Sequence, residues 1–360
     1  MKNKTIITAG QLFGMLFISR MIVNMTYNPL LTGGENMWDH ILSAAISFVL
    51  VFVMVIPVYK MCNMRGGIDV ANASYAILGK IGAVVCIVYA LYYAFISIYN
   101  LSLFNSFVSN AMSPKIPILA LSFAVIIVSC YAAYKGIEGI ARASFLILIL
   151  IVVALIFIVI ALLPQVDSRN FTPFMYNGSK QVVKGVILML SKTACIPAMA
   201  MLFPIVKGDK KRGLIGWNVS VYATIAILIT VIVGSLGDYL KTQSFPVYTA
   251  TCIAEIGILK KLDAFYLGVW LTGLFIKISL FIYLIAACIN RVLGEKASRV
   301  SIFISGIIIA ILSYFVSKDK ATIALVYNLR VIMVFTLITA VIVPLILLIV
   351  NSIKCRRSCK

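Results

Sequence analysis

Long runs of apolar residues recur along the chain, and short segments between them hold most of the charged residues. A helix needs roughly 20 mostly apolar residues to cross the hydrocarbon of a bilayer. The pattern therefore predicts an all-α membrane protein with ten transmembrane helices, numbered here as spans 1 to 10, in a single transmembrane domain over residues 1–360. Their approximate bounds are 10–30, 38–59, 81–111, 116–134, 143–163, 183–206, 214–237, 263–290, 299–317 and 325–351.

Composition and charge agree with a chain whose solvent is largely lipid. Hydrophobic residues make up 62% of the sequence and charged residues 12%, which is too apolar for a soluble domain. The net charge of +20 could indicate a nucleic-acid partner, but its distribution indicates membrane topology. With a cytoplasmic N-terminus, and charges at span ends counted with the adjacent loop, 18 of the 31 Lys and Arg lie on the inner side, nine lie outside and four lie within spans. This positive-inside bias predicts a multi-pass protein of the cell membrane, in contact with lipid, with both termini in the cytoplasm and no nucleic-acid partner.

The ten spans divide into two repeats of five, over about residues 10–163 and 183–351, whose first helices cross the membrane in opposite directions. In an inverted repeat of this kind, the first helix of each half is broken near the midplane and its backbone groups are free to hold a ligand. Span 1 contains Pro29 and span 6 contains Pro197, and proline removes a backbone donor while disfavouring helical geometry in the residue before it. A simple kink is the alternative at each position alone. The paired positions predict that spans 1 and 6 are both discontinuous.

Polar residues at the two predicted breaks form the candidate ligand site. Free amides at a helix N-terminus suit a carboxylate and free carbonyls suit an ammonium, so an amino acid would satisfy both. Span 3 adds a polar stripe at i, i+4 and i+7, which could line the cavity or equally well bond across neighbouring helices. The candidate residues are Asn24, Thr26 and Tyr27 in span 1, Tyr93, Ser97 and Asn100 in span 3, and Thr193 and Cys195 in span 6.

Four cations fall within the predicted spans, namely Arg20, Lys192, Lys277 and Arg330. Arg330 is close enough to the outer surface for its side chain to snorkel. The other three lie nearer mid-depth, where a Lys or Arg costs about 2.5–3.5 kcal/mol by insertion scales. All eleven carboxylates lie in loops or at helix ends, which weighs against a buried carboxylate that relays protons. Arg20, Lys192 and Lys277 are therefore candidate coupling or switch residues.

Other kinds of site find little support in the sequence. The eight cysteines are scattered without a CxxC pair, and His40 is the single histidine, so we expect buried thiols, no metal site and no cofactor. Paired carboxylates, a nucleophile triad and a phosphate loop do not stand out, so we do not expect an enzyme. The outer loop at about 238–262 is interpreted either as a short surface helix that covers the outer mouth or as a plain connector.

Several blocks of sequence, in order along the chain, match the pattern of one known family, namely residues 7–13, 33–38, 134–142, 171–178, 245–248, 261–265 and 270–283. In these blocks the chain resembles the spore germination permease family. This family includes the GerAB/GerB-type B subunits of nutrient germinant receptors and lies within the amino acid–polyamine–organocation superfamily. Residues 22–24 and 193–195 depart from the pattern, since they stand where the family has a glycine-rich break and a Gly-Glu pair.

The resemblance implies a LeuT-like fold and a receptor subunit that binds a small nutrient, expected to be an amino acid, near the midplane and signals germination. It also implies two partners in the spore inner membrane, a larger A-type membrane subunit and a C-type lipoprotein. An amino-acid or polyamine permease with the same fold is one alternative. A ligand-gated water or ion channel lined by the polar spans 1, 3 and 6 is another.

The resemblance also implies a role for Lys277. In the implied fold, span 8 passes beside span 1, where relatives hold a coupling sodium ion, and the ammonium of Lys277 could replace that ion. The alternative is a structural lysine bonded to backbone carbonyls. Trp270 and Gly273 share the helical face of Lys277, and the glycine should let a neighbouring helix approach closely.

Overall fold

The computed structural model describes residues 7–25, 37–64, 67–112, 115–171, 178–256, 259–260 and 262–358, and this part of the chain is nearly all helical. The helices are α1 Ala9–Met25, α2 Met37–Cys62, α3 Val70–Leu78, α4 Gly82–Phe107, α5 Ile118–Lys135, α6 Ile137–Leu162, α7 Ser179–Ser191, α8 Cys195–Leu202, α9 Lys210–Leu236, α10 Pro246–Ile253, α11 Asp263–Leu293, α12 Glu295–Lys318, α13 Lys320–Val326, α14 Leu329–Leu337 and α15 Val343–Ser358. Four two-residue strands are β1 Ile7–Thr8, β2 Val206–Lys207, β3 Glu255–Ile256 and β4 Leu259–Lys260. Two π-helical turns, Val108–Met112 and Ile338–Ile342, follow α4 and α14.

The helices confirm the predicted all-α membrane architecture. Within the described ranges, nine helical segments are long and apolar enough to cross a membrane, and they correspond to spans 2 to 10. At the position of span 1 lies a shorter apolar helix, Ala9–Val23. The total of ten spans, the cytoplasmic termini and the exact repeat bounds stay predictions.

Two helices begin earlier than the sequence predicted, because single glycines replace the expected inner loops. Gly136 (φ 92°) alone separates α5 from α6, and Gly294 (φ 87°) alone separates α11 from α12. The charged residues assigned to those loops lie instead in the last turns of α5 and α11 and in the first two turns of α6 and α12, where Arg299 and Glu295 pair at i and i+4 (2.9 Å). A left-handed glycine lets the chain reverse within one residue, so charge alone misplaces the helix boundary.

Span 1 and span 6 lie side by side and run in opposite directions. At one end, β1 before α1 pairs with β2 after α8. Further along, the Cys195 thiol donates to the carbonyl of Leu16 (3.4 Å), and the Arg20 guanidinium donates to the carbonyl of Met189 (2.8 Å). Residue numbers thus rise along α1 as they fall along span 6, which is the arrangement that an inverted repeat requires.

The longest helix, α11, is the centre of the bundle. It extends for 31 residues and packs against α1, α4, α5, α6 and α12. A Cβ added to Gly273 would lie 2.6 Å from Cγ1 of Ile22, so the backbones of α1 and α11 approach more closely there than a side chain would allow. The predicted close approach at this glycine is confirmed, and its partner is α1.

The outer loop before α11 contains a helix, α10, so the interpretation as a plain connector is wrong. Aromatic rings hold α10 against the ends of α4 and α11. The ring centroid of Phe107 lies 5.0 Å from those of Phe245 and Tyr248 and 4.6 Å from that of Trp270. Burial raises the pKa of Tyr248 to about 12, so its phenol is neutral at physiological pH.

Candidate functional site

The candidate site is centred on the break in span 6. Helix α7 ends at Ser191, α8 begins at Cys195, and the residues between them, such as Lys192 and Thr193, are buried. Pro197 is the third residue of α8, where a helix has no internal partner for a backbone N–H, so the missing donor costs nothing there. The predicted discontinuity of span 6 is confirmed.

The backbone carbonyls at the end of α7 already have partners. The last four carbonyls of a helix receive no hydrogen bond from a backbone N–H of the same helix. Two of them accept from residues of the break itself: the Ser191 hydroxyl donates to the carbonyl of Leu188 (2.8 Å), and the Thr193 N–H donates to that of Leu190 (3.0 Å). The other two accept from neighbouring helices: the Arg20 guanidinium donates to the carbonyl of Met189 (2.8 Å), and the Thr336 hydroxyl donates to that of Ser191 (3.3 Å). Sequence reasoning expected free carbonyls at this break, and the structure shows these four engaged by protein donors.

The polar stripe of span 3 lies on α4 and reaches two other helices. The Tyr93 hydroxyl donates to the carbonyl of Pro197 at 2.8 Å, which joins α4 to α8. Ser97 and Asn100 each donate to a carbonyl one turn earlier in α4, and Asn100 Oδ1 also accepts from Lys277 Nζ at 3.1 Å. All three stripe residues are buried. The stripe therefore supplies bonds between helices, as one interpretation of it predicted, and its role in lining a ligand cavity stays a prediction.

Lys277 lies in the interior on α11, with 1% of its surface exposed. Besides its bond to Asn100, its ammonium lies 5.9 Å from the ring centroid of Phe281, within range of a cation–π interaction. The neighbouring turn of α11, at Gly273, contacts α1. The ammonium donates to the side-chain amide oxygen of a residue in α4. Replacement of a sodium ion by this ammonium stays a prediction.

Arg20, Lys192 and Lys277 lie close enough together for their charges to interact. Arg20 is 1% exposed and uses one arm to hold the carbonyl of Met189. Its other arm, Nη1, is buried with no partner at ordinary hydrogen-bond distance, and the guanidinium interacts with the hydroxyl of Tyr222 on α9. Among the residues that the structure describes, no carboxylate pairs with any of the three cations. The site therefore concentrates positive charge, and no carboxylate in the described part of the chain balances it.

Span 1 contributes less to the described site than the sequence predicted. Thr26, Tyr27 and Pro29 lie outside the described residues. Asn24 falls in the last turn of α1, which ends at Met25, but its side chain also lies outside them. Cys195 and Thr193 both bond to backbone carbonyls, of α1 and α7 respectively. The ligand roles of these residues stay predictions.

The sequence matches the family described as spore germination protein over residues 6–323. This chain belongs to the spore germination protein family. Spore germination protein KB of Bacillus subtilis (strain 168) is 26% identical to it over 333 residues, which cover 88% of this chain and 87% of that protein. Spore germination protein XB of Bacillus anthracis is 26% identical over 180 residues, which cover 48% and 49% of the two chains.

This spore germination protein shares its fold with a Na+-coupled sialic acid symporter solved in a substrate-bound, outward-open state. The TM-score is 0.66, and the match covers 92% of this chain and 78% of the symporter at 11% sequence identity. At that identity the likeness concerns the fold alone. It confirms the predicted LeuT-like class of multi-pass membrane protein.

In this spore germination protein, span 10 also contributes to the site, which sequence reasoning missed. The Thr336 hydroxyl bonds the carbonyl of Ser191 and lies 3.1 Å from the Tyr92 hydroxyl, and the Tyr89 hydroxyl donates to the carbonyl of Thr339. Thr339 lies in the π-helical turn, a feature frequently found at functional sites. Two threonines three residues apart in an otherwise apolar run were the available signal, since such hydroxyls commonly bond between membrane helices.

Proposed function

We propose that this chain is the B subunit of a spore nutrient germinant receptor and that it binds a small nutrient, with an amino acid the leading candidate, at the break of span 6. One observation carries the proposal. In a member of this family, a buried helix break is held by side chains from α1, α4 and α14, namely Arg20, Tyr93 and Thr336. A ligand at the break therefore acts on three helices at once.

Signalling follows from differential affinity. A ligand that binds one arrangement of the helices better than another shifts the bundle toward the first, and a coupling of about 1–3 kcal/mol is typical. The A-type membrane subunit and the C-type lipoprotein would read that shift in the spore inner membrane. These partners come from the resemblance to germinant receptors and are supported here by the family of the chain and its two germination relatives.

Ligand-dependent thermal stabilisation of the purified chain tests the proposal. A ligand at 100 times its dissociation constant stabilises the folded state by about 2.7 kcal/mol, so a screen of the common amino acids should identify at least one that raises Tm. Thr193→Val and Tyr93→Phe should reduce that shift. Thr224→Val is the control, because its hydroxyl bonds only within α9. A screen in which no nutrient raises Tm would contradict the proposal.

A permease is the second candidate, favoured by the fold shared with a sodium-coupled symporter. The same break would then serve alternating access. Saturable uptake of labelled amino acid into liposomes that contain this chain alone would support the permease. Ligand-gated flux far above carrier turnover would instead support a channel, and binding without flux would favour the receptor subunit.

A further inference from the structure

An open groove lies between α2 and α9, at the end of the bundle where α2 ends and α9 begins. Toward the midplane the two helices touch, because Asn218 Nδ2 donates to the carbonyl of Phe48 (3.0 Å) and the ring centroid of Phe48 lies 5.8 Å from that of Tyr222. Beyond this contact the helices leave a space of about 480 Å³. The described residues that line it are Phe52, Val55, Ile56, Tyr59 and Lys60 from α2 and Lys211, Leu214 and Ile215 from α9.

The groove is apolar along most of its length and charged at one end. Among the described residues that line it, six are aliphatic or aromatic and two are lysines. Lys60 lies in the last turn of α2 and Lys211 in the first turn of α9. Ile56 and Ile215, which are 48% and 53% exposed, lie within the predicted spans, so their exposed surface faces hydrocarbon. The groove therefore opens to the bilayer, and its basic end lies where α2 and α9 leave the hydrocarbon.

The two lysine ammonium groups of the groove have no carboxylate partner in the described part of the chain. Asp209 accepts from the backbone amides of Lys211 and Arg212 (3.0 Å each) and pairs with the Arg212 guanidinium (3.3 Å). Asp69, which follows α2, caps α3 by accepting from the backbone amide of Asn72 (2.8 Å). These carboxylates cap their own helices, so the groove lysines are available to an anion from outside the chain.

The length and polarity of the groove match a phospholipid of one leaflet. The hydrocarbon of a bilayer is about 30 Å thick, so one leaflet supplies about 15 Å. Positions 52 and 60 are eight residues apart on α2, which corresponds to a rise of about 12 Å. Basic pockets between transmembrane helices on the cytoplasmic side bind anionic lipid head groups. A soluble anion would leave the apolar length uncovered and an apolar helix would leave the lysines unpaired, whereas an anionic phospholipid satisfies both.

We propose that the groove between α2 and α9 binds an anionic glycerophospholipid of the cytoplasmic leaflet, with its phosphate bonded by Lys60 and Lys211 and one acyl chain along the apolar residues of the groove. The site is separate from the one in the proposed function, because the groove opens to the bilayer and not to the break of span 6. The ring centroid of Tyr59 lies 6.4 Å from that of Phe203, in the turn after α8. A lipid that covers this wall should therefore stabilise the folded bundle.

Lipid titration of the purified full-length chain in a neutral detergent tests the chemistry of the ligand. Palmitoyl-oleoyl phosphatidylglycerol is anionic, phosphatidylcholine with the same acyl chains is zwitterionic, and glycerol phosphate supplies the anionic head group without acyl chains. Phosphatidylglycerol should raise Tm to a plateau, phosphatidylcholine should raise it less, and glycerol phosphate should not raise it. Equal stabilisation by the two lipids would overturn the inference. Equal stabilisation by glycerol phosphate would also overturn it, because a free anion would then suffice.

Substitution of the two lysines separates this groove from the general attraction of a basic chain for anionic lipid. Lys60→Gln combined with Lys211→Gln should raise the phosphatidylglycerol concentration that gives half of the Tm shift by about thirtyfold, or about fivefold per lysine. Lys80→Gln combined with Lys296→Gln is the matched control, because it removes the same charge from exposed positions on the same predicted side of the membrane. If the two double variants require the same concentration of lipid, the proposed position is wrong.

A second variant tests the apolar length of the groove if the lysine variant does not fold. Ile215→Trp should fill the groove and weaken phosphatidylglycerol binding without altering charge, whereas Ile307→Trp, at a similarly exposed position on α12, should not. Native mass spectrometry should show phosphatidylglycerol retained by Ile307→Trp and lost from Ile215→Trp. Equal retention by both variants would refute the inference. Lipid-free dimers that Ile215→Trp abolishes would also refute it, since the groove would then be a contact between two copies of the chain.

Discussion

The contact between α1 and α11 at Gly273 gives the sharpest test of the packing that positions the site. Replacing Gly273 with alanine would place a Cβ 2.6 Å from Cγ1 and 2.7 Å from Cδ1 of Ile22, and 3.3 Å from Cγ2 of Ile18. Ordinary contacts begin at 3.4 Å. Either the two helices separate by about 0.8 Å or Ile22, a stiff β-branched residue, leaves its rotamer.

Overpacking of this kind typically costs about 1–3 kcal/mol. In a helix interior, alanine is also more favourable than glycine by about 0.8–1.0 kcal/mol, and this gain would mask part of the cost of overpacking. Gly268→Ala measures that gain separately, because Gly268 lies in the same helix and a Cβ there would meet nothing within 4 Å. The difference in unfolding free energy between the two alanine variants should therefore be about 1–3 kcal/mol, with Gly273→Ala the less stable.

Reversible unfolding in mixed micelles provides the free energies for both variants. Adding Ile22→Ala to Gly273→Ala removes the side chain that clashes, so the alanine at position 273 should no longer destabilise the protein. The coupling between the two sites should fall within the range of about 0.5–3 kcal/mol seen for residues in contact. If Gly273→Ala is as stable as Gly268→Ala, the close approach of α1 and α11 is wrong.

Four further substitutions test the polar contacts and the outer helix. Tyr93→Phe removes the donor to the carbonyl of Pro197 and should cost about 0.5–1.5 kcal/mol of unfolding free energy; an unchanged stability would argue against this bond. Lys277→Met should assemble normally and lose the ligand-induced Tm shift, whereas an intact shift would exclude a coupling role. Asn100→Ala leaves the ammonium of Lys277 without its acceptor and should destabilise the chain by about 1–3 kcal/mol, with a smaller loss when both residues are replaced. Phe107→Ala should speed labelling of the cysteine in α10 by a water-soluble thiol reagent, because the ring cluster that holds α10 is lost, and an unchanged labelling rate would contradict this packing.

The parts of the fold that follow from local physics were predictable from the sequence. Apolar length identifies the spans because every backbone polar group in lipid must be satisfied within a helix. Pro197 identified the break in span 6 because proline removes a backbone hydrogen-bond donor from its own helix, and this effect does not depend on the neighbouring helices. Gly273 of α11 likewise marked a close approach. The resemblance placed span 8 beside span 1, but the sequence did not identify Ile22 as the side chain in contact.

The contacts that hold the break of span 6 depend instead on which side chains meet after folding. The bond from Thr336 to the carbonyl of Ser191 joins residues 145 positions apart, and the bond from Arg20 to the carbonyl of Met189 joins residues 169 positions apart. A hydrogen-bond pattern within one helix cannot reveal such partners. The expectation of free carbonyls was wrong for the last four carbonyls of α7 for this reason, since each was considered without the neighbouring helices that satisfy it.

The way in which the break is held also indicates how a ligand could be sensed there. Arg20, Tyr93 and Thr336 each hold a carbonyl on one side of the break or the other, and they come from three helices. A buried carbonyl that loses its partner costs about 1–3 kcal/mol, so none of these helices can move away without a compensating interaction. Under the proposed function, a ligand that replaced one of these donors would supply that compensation and would release the corresponding helix from the break. Ligand affinity and helix position would then depend on the same hydrogen bonds, so the free energy of ligand binding would shift the equilibrium between helix arrangements.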